Sequence, residues 1–273
     1  MTSPAERGAA FRALHRRDRA FLIPNPWDAG TARLLARLGF EALATTSAGY
    51  AFSLGRRDNR VSRDEMLAHA AAVVAATDLP VSADLENGFA DAPAAAAETY
   101  RLAAAVGLAG ASIEDMTSDP DRPIYELALA TDRVRAAAEA VHGLPFPFIL
   151  TARCENHLVG RNDLRDTIRR LQAYQEAGAD VLYAPGLASR DEIAAVVAAV
   201  DRPVNVVMGL KGVRLSLAEL SALGVRRVSV GSALARAALG AFLRGAREML
   251  DRGTFEFADE AVPYAEISGL FEG

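Results

Sequence analysis

At 273 residues, with 51% hydrophobic and 24% charged side chains, the chain has ample material for a packed core. That composition excludes wholesale disorder, and the length suits one α/β barrel of about 250 residues. Thirty basic against 35 acidic residues leave a net charge of −5, which argues against nucleic acid or an anionic membrane surface as the main partner. The lone cysteine, Cys154, excludes an internal disulfide framework and any multi-cysteine metal site. Only Lys211 is a lysine, so Schiff-base or pyridoxal chemistry would have to run through that position, and a surface-loop lysine is the expected reading. Charges at short intervals from Met1 to Arg19 do not read as a signal peptide, and no apolar run reaches about 18 residues, so a reducing cytoplasm is the expected setting.

After a short helical opening, β-rich apolar runs alternate with Ala/Leu-rich helical runs, the pattern of parallel βα units. Strands are predicted at 21–25, 41–46, 81–86, 111–115, 146–153, 181–184, 204–208 and 227–230, each with a helical pattern after it. Gly39, Gly107, Gly143, Gly178 and Gly224 each fall between a helix and the next strand, where a helix C-terminus is expected. Eight such units close a (βα)8 TIM barrel, and with no Pro/Ser-rich linker residues 1–273 are expected to form a single domain. An open doubly wound sheet uses the same elements, but no G-x-G-x-x-G follows the first strand.

Active sites of such barrels are built at the C-terminal ends of the strands. There the third strand carries Asp84 and Glu86, two residues apart, so strand alternation is expected to point both the same way with Cα atoms roughly 6.8 Å apart. The fourth strand adds Glu114 and Asp115, and the fifth adds Arg153, followed by Cys154, Glu155 and His157. Any one of these also reads as a solvated carboxylate or a strand-end ion pair. Together they repel one another unless a cation or protons neutralise them, and one arginine is too little compensation. The four histidines are scattered, with His15, His69 and His142 on helix faces or ends, which disfavours zinc. All-oxygen ligation suits Mg²⁺, with Mn²⁺ as the other fit.

The segments GRRD ending at Asp58, DLENG at Asp84, SIED at Glu114 and TARCE at Arg153 follow one another at predicted strand ends. In that order they resemble the isocitrate lyase/phosphoenolpyruvate mutase superfamily, from about Phe21 to the end of the eighth unit. The resemblance implies a Mg²⁺-dependent enzyme acting on a 2-oxo or 2-hydroxy acid through an enolate-like intermediate. It implies Asp84 as a direct metal ligand, with Glu86 and Glu114 holding the metal through its waters and Asp58 near that water shell. The family's frequent Asp-x-Asp is Asp-x-Glu here, so the longer arm of Glu86 changes its reach. Arg153 resembles the arginine that pairs with substrate carboxylate, and Thr46, Ser47 and Ala48 match the segment that receives the carboxylate and oxyanion. Tyr50 and Asn205, near predicted strand ends, are further candidate substrate contacts.

The departures narrow the expectation. Residues 116–124 lack the Cys, Lys and His of the carbon–carbon lyase gating loop, which argues against an isocitrate or methylisocitrate lyase. The mutase and phosphonopyruvate hydrolase branches carry a Lys- and Asn-bearing loop there and a histidine late on the sixth strand, where this chain has Tyr183-Ala184-Pro185. Asp119, Asp121 and Arg122 are replacement groups or, as expected, a solvated turn. Cys154 reads as a buried spectator thiol, His157 as an exposed loop residue, and the turn ending at Ser232 as a tight turn. The expected activity is therefore a Mg²⁺-dependent lyase or decarboxylase of a small 2-oxo or 2-hydroxy di-acid. Carbon–phosphorus chemistry on phosphonopyruvate and a catalytically weak 2-oxo acid binder are the alternatives. The family resemblance also implies a homo-oligomer, dimer or tetramer, with the last helix, at about 232–251, exchanged between subunits, although its apolar residues equally fit intrachain packing.

Overall fold

The structure, a computed structural model, describes residues 2–210 and 212–272; Lys211, and the reading of it as a surface lysine, lie outside the described residues. Helix α1 (Pro4–His15) precedes the first strand. The alternation then runs β1 (Phe21–Ile23), α2 (Ala29–Arg37), β2 (Leu43–Ala44), α3 (Ser47–Ser53), α4 (Arg63–Ala75), β3 (Val81–Asp84), α5 (Pro93–Ala105), β4 (Gly110–Glu114) and α6 (Leu127–His142). It continues with β5 (Ile149–Arg153), α7 (Leu164–Glu176), β6 (Val181–Tyr183), α8 (Arg190–Ala199), β7 (Val204–Val207), α9 (Leu217–Ala222), β8 (Arg227–Ser229), α10 (Ala233–Arg252) and α11 (Tyr264–Gly269). All strand pairs are parallel in the order β1-β8-β7-β6-β5-β4-β3-β2. The remaining gap is spanned by Ala44 N–H donating to Pro24 O at 3.0 Å, so the sheet is a nearly closed (βα)8 barrel.

All the predicted strands form, but several are shorter than expected. β1 stops at Ile23 because Pro24 and Pro26 offer no N–H to a ladder, and β5 starts after Pro147. Helix starts follow local chemistry: Asp28, Ser62 and Ser216 each cap a helix whose third residue returns a bond to the cap.

Most buried apolar residues lie between the sheet and its helices. A separate cluster plugs the N-terminal end of the barrel, where Phe11 and Leu14 of α1 pack on Phe21, Ile23, Ala42, Ala109, Ile149 and Val181. Gly110 permits that end to pack closely, since a Cβ there would sit 2.6 Å from Ile149 O. Above the plug the interior turns polar, with Ser82, Ser112, Thr151, Asn205, Arg227 and Ser229 in place of the Val, Ile and Leu layers usual in such barrels. Among the described residues no helix is long and apolar enough to cross a membrane.

Candidate active site

Arg153, the last residue of β5, gathers the mouth. Its Nη1 lies 2.9 Å from Asp84 Oδ1, Nη2 3.1 Å from Glu114 Oε2, and Nε 2.8 Å from Glu155 Oε1, while its guanidinium lies 5.1 Å from the Tyr183 ring centroid. Strand register produces this, because Glu114 pairs with Arg153 and Arg153 with Tyr183. Burial pulls the guanidinium pKa down, but Glu155, Glu114 and Asp84 outweigh it and hold the pKa above its ordinary value.

Asp84 is held from the other side by α3. Its Oδ2 accepts from Ser47 Oγ at 3.1 Å and Ser47 N at 3.4 Å, and its own N–H donates to Thr45 Oγ1 at 3.0 Å. Thr46 spends its hydroxyl on the helix cap, accepting from Gly49 N at 3.2 Å, and Ala48 sits in the first turn behind it. Tyr50 lies on α3 rather than at a strand end, with its ring stacked on His69 at 3.9 Å between centroids.

Glu86 reaches the mouth by a route other than strand alternation. β3 ends at Asp84, and Glu86 adopts a left-handed backbone with φ of 49°, so the expected shared strand face for Asp84 and Glu86 does not exist. The side chain is buried, Oε1 has no partner, and its pKa is pushed up to about 8 by burial and then by Asp84 and Asp58. Asp58, exposed on the loop after α3, is nonetheless raised by desolvation of its carboxyl and by Asp84, against the bond it accepts from Ser47. Glu114 and Glu155 are both raised by burial, which Arg153 opposes.

Asp115 does not join the mouth. As the neighbour of inward-facing Glu114 it points outward, where Oδ2 accepts from Tyr174 OH at 2.6 Å and Arg170 Nη1 at 3.2 Å, and Oδ1 from Glu155 N at 2.8 Å. Cys154 is buried and burial pushes its thiol up, in keeping with a spectator. His157 is half-buried rather than exposed. Residues 116–124 form a closed hairpin in which Met116 bridges Ile124, Thr117 N–H donates to Pro123 O at 2.8 Å, and Asp119 pairs with exposed Arg122 at 3.1 Å. Those charges satisfy each other, as a solvated turn does.

Several cavities adjoin this cluster. An outer cleft of about 530 Å³ lies between Asp58, Glu86 and Glu114 and the 116–123 hairpin, with Arg57 and Arg60 on its wall. An inner cavity of about 60 Å³ touches Asp84, Arg153, Tyr183, Asn205, Arg227 and Ser229. Asn205 is buried on β7, accepting from Arg227 Nε at 2.8 Å and donating to Ser229 Oγ at 3.1 Å. Arg227 escaped the sequence reading; it is one of the adjacent Arg226 and Arg227 at the start of the eighth strand, and no local pattern tells which of the two turns into the barrel.

Among the described residues no group of three or more His, Cys, Asp or Glu is placed so that together they could hold a metal ion. The donors at the mouth are all oxygens, and the buried, unpartnered Glu86 Oε1 asks for a cation or a proton. Such a partial set fits Mg²⁺, which keeps several waters and takes one or two carboxylates, better than zinc.

Residues 11–250 match the family model described as phosphoenolpyruvate phosphomutase. The chain is 65% identical to a candidate lyase/mutase from Burkholderia cenocepacia J2315, whose crystal structure it matches with a TM-score of 0.97 over 99% of this chain and 97% of that one. It is 26% identical to oxaloacetate acetylhydrolase in complex with the product oxalate, with a TM-score of 0.88 over 98% and 95% of the two chains. It is 25% identical to a phosphonopyruvate hydrolase complexed with oxalate and Mg²⁺, with a TM-score of 0.86 over 98% and 95%.

Proposed function

We propose, from the premise that this chain belongs to the phosphoenolpyruvate phosphomutase family, that it is a Mg²⁺-dependent lyase or decarboxylase of small 2-oxo or 2-hydroxy di-acids. The observation that carries this reading is the charge imbalance at the mouth: Asp84, Glu86, Glu114, Glu155 and Asp58 converge around Arg153, and Glu86 keeps a buried oxygen with no partner. Asp84 would hold Mg²⁺ directly, and Glu86 and Glu114 through its waters, with Asp58 beside that shell. When bound, the ion supplies Lewis-acid stabilisation of the negative charge an enolate develops.

The chain's own groups do the rest. Ser47 orients Asp84 through its N–H and hydroxyl, and the backbone of Thr46, Ser47 and Ala48 lies at the same edge of the mouth to receive substrate oxygens. Arg153 ties three carboxylates together, so the site is preorganised before ligand arrives. The 116–124 hairpin walls the outer cleft. It offers no thiol or imidazole to the leaving group, so protonation by solvent suits a product as simple as pyruvate. Relatives bound to oxalate support an acid of this size.

Calorimetric titration with Mg²⁺ and oxalate, followed by a pyruvate-release assay over a panel of di-acids, tests the reading. Phosphate release from phosphonopyruvate would replace it with carbon–phosphorus chemistry, and tight oxalate binding without turnover of any acid would leave a 2-oxo acid binder. A homo-oligomer, dimer or tetramer, belongs to the same proposal. Of α10 only Ala235 and Gly245 are buried, while Phe242 is 69% and Leu250 85% exposed, an apolar face suited to another copy of this chain. Light scattering on the purified chain decides that point. The buried free thiol of Cys154 agrees with a reducing, cytoplasmic setting.

A further inference from the structure

The barrel interior holds a second arginine that the proposed chemistry leaves unused. Arg227 opens β8 and its side chain crosses the inside of the barrel, with Nε donating to Asn205 Oδ1 at 2.8 Å and Nη2 to Thr151 Oγ1 at 3.0 Å. Only 5% of the residue is exposed, and Nη1 has no hydrogen-bond partner. Both partners are neutral, so a positive charge is buried without a carboxylate beside it, an arrangement that desolvation penalises until a counter-charge arrives. Burial brings the guanidinium down to about 10, which still leaves it charged at neutral pH.

The inner cavity gives that charge something to meet. Its volume of about 60 Å³ exceeds the ~10–15 Å³ that one water needs, and Arg227, Asn205 and Ser229 share it with Arg153 and Asp84. Arg153 spends Nη1, Nη2 and Nε on Asp84, Glu114 and Glu155. Each nitrogen of Arg153 thus already serves a carboxylate, whereas Arg227 keeps one nitrogen with no partner, so Arg227 is a second guanidinium for an acid in this cavity beside the Arg153 expected to pair with substrate carboxylate.

We infer that the inner cavity is a carboxylate subsite, in which Arg227, oriented by Asn205 and Thr151, takes one carboxylate of a ligand whose other acidic end reaches the mouth, where Arg153 and the ion that Asp84 would hold lie. The inference rests on reading the mouth as an acid-binding centre and sharpens it: the chain selects small di-acids over mono-acids. Arg227 needs no metal for this, so the two readings separate experimentally.

Formate, a bare carboxylate, is titrated calorimetrically in the presence of a chelator into the full chain and into the Arg227→Met and Arg227→Lys variants. Oxalate with Mg²⁺ is titrated into the same proteins. Formate is expected to bind the wild type, about 10- to 100-fold more weakly to Arg227→Met, and with intermediate affinity to Arg227→Lys. Bromide soaked into wild-type crystals is expected to give an anomalous peak beside Nη1, a result that stands even if Arg227→Met does not fold. Equal formate binding by wild type and Arg227→Met, or no bromide at Nη1, overturns the subsite and means that water alone fills the cavity, whatever oxalate does. Loss of Mg²⁺-dependent oxalate binding in every protein, with the formate pattern retained, overturns the mouth reading and upholds Arg227 as a carboxylate site.

Discussion

Arg153 Nη1 sits 2.9 Å from Asp84 Oδ1, so the last residue of β5 is tied across the barrel mouth to the last residue of β3. The same guanidinium serves Glu114 and Glu155. Its removal leaves buried carboxylates facing one another, and breaking even one buried pair typically costs about 3–5 kcal/mol. Arg153→Met is expected to lose stability of that order, and Mg²⁺ is expected to restore more to the variant than it adds to wild type. Urea unfolding with and without Mg²⁺ measures both effects; a variant indifferent to Mg²⁺ argues against a cation at the mouth.

Glu86→Gln keeps the shape of a buried side chain while removing a charge whose Oε1 has no partner. Burial and the charges of Asp84 and Asp58 already push this carboxyl to about 8, so the neutral amide is expected to leave metal-free stability unchanged or raise it. Mg²⁺ affinity is expected to fall about 10- to 100-fold, as for other groups that orient a metal shell, and calorimetry reads it directly.

Behind the mouth, Arg170 joins Asp115 at 3.2 Å and Asp166 at 2.8 Å. Arg170→Met strands Asp115 beside Tyr174 and is expected to cost about 3–5 kcal/mol in chemical unfolding. Because this cluster faces α7 and not the ligand, Mg²⁺-dependent oxalate affinity is expected to change by no more than about twofold. A much larger change would place Asp115 in the site after all.

His15 carries a pH signature. Burial, and then the charge of Arg227, hold its imidazole down to about 3, whereas an unfolded histidine titrates near its ordinary value of about 6.5. Between those values the unfolded chain binds a proton that the folded chain excludes, so this group makes stability rise with pH from about 3 to about 6.5 and adds no slope above. His15→Phe keeps a ring between Phe11 and Phe21, whose centroids lie 4.7 and 5.0 Å from that of His15. The variant is expected to show a shallower rise of Tm with pH than wild type on the acid side of about 6.5. Parallel curves for the two proteins would refute it.

Much of the fold was legible because it depends on near neighbours. Apolar runs of strand length, helical spacing, and glycines such as Gly39 and Gly178 at helix ends located every strand of the barrel, and prolines at 24, 26 and 147 account for the shorter ends of β1 and β5. Asp84, Glu114 and Arg153 were legible as a set because each closes a strand, and strand ends of a parallel barrel meet at one face. Glu86 was placed at the mouth for the wrong reason, since no local pattern announces a left-handed glutamate. Asp115 was misassigned because adjacent strand residues face opposite sides.

The order of strands and helices, and hence the barrel, is written in the chain itself, because hydrophobic spacing, caps and breakers act over a few residues. The pairing of charges is not. Which carboxylate Arg153 takes, which way Asp115 turns and what Arg227 meets inside the barrel depend on the register of strands far apart in sequence. A guanidinium's partner is set by what lies within about 3 Å of it in space, a distance that only the closed sheet defines.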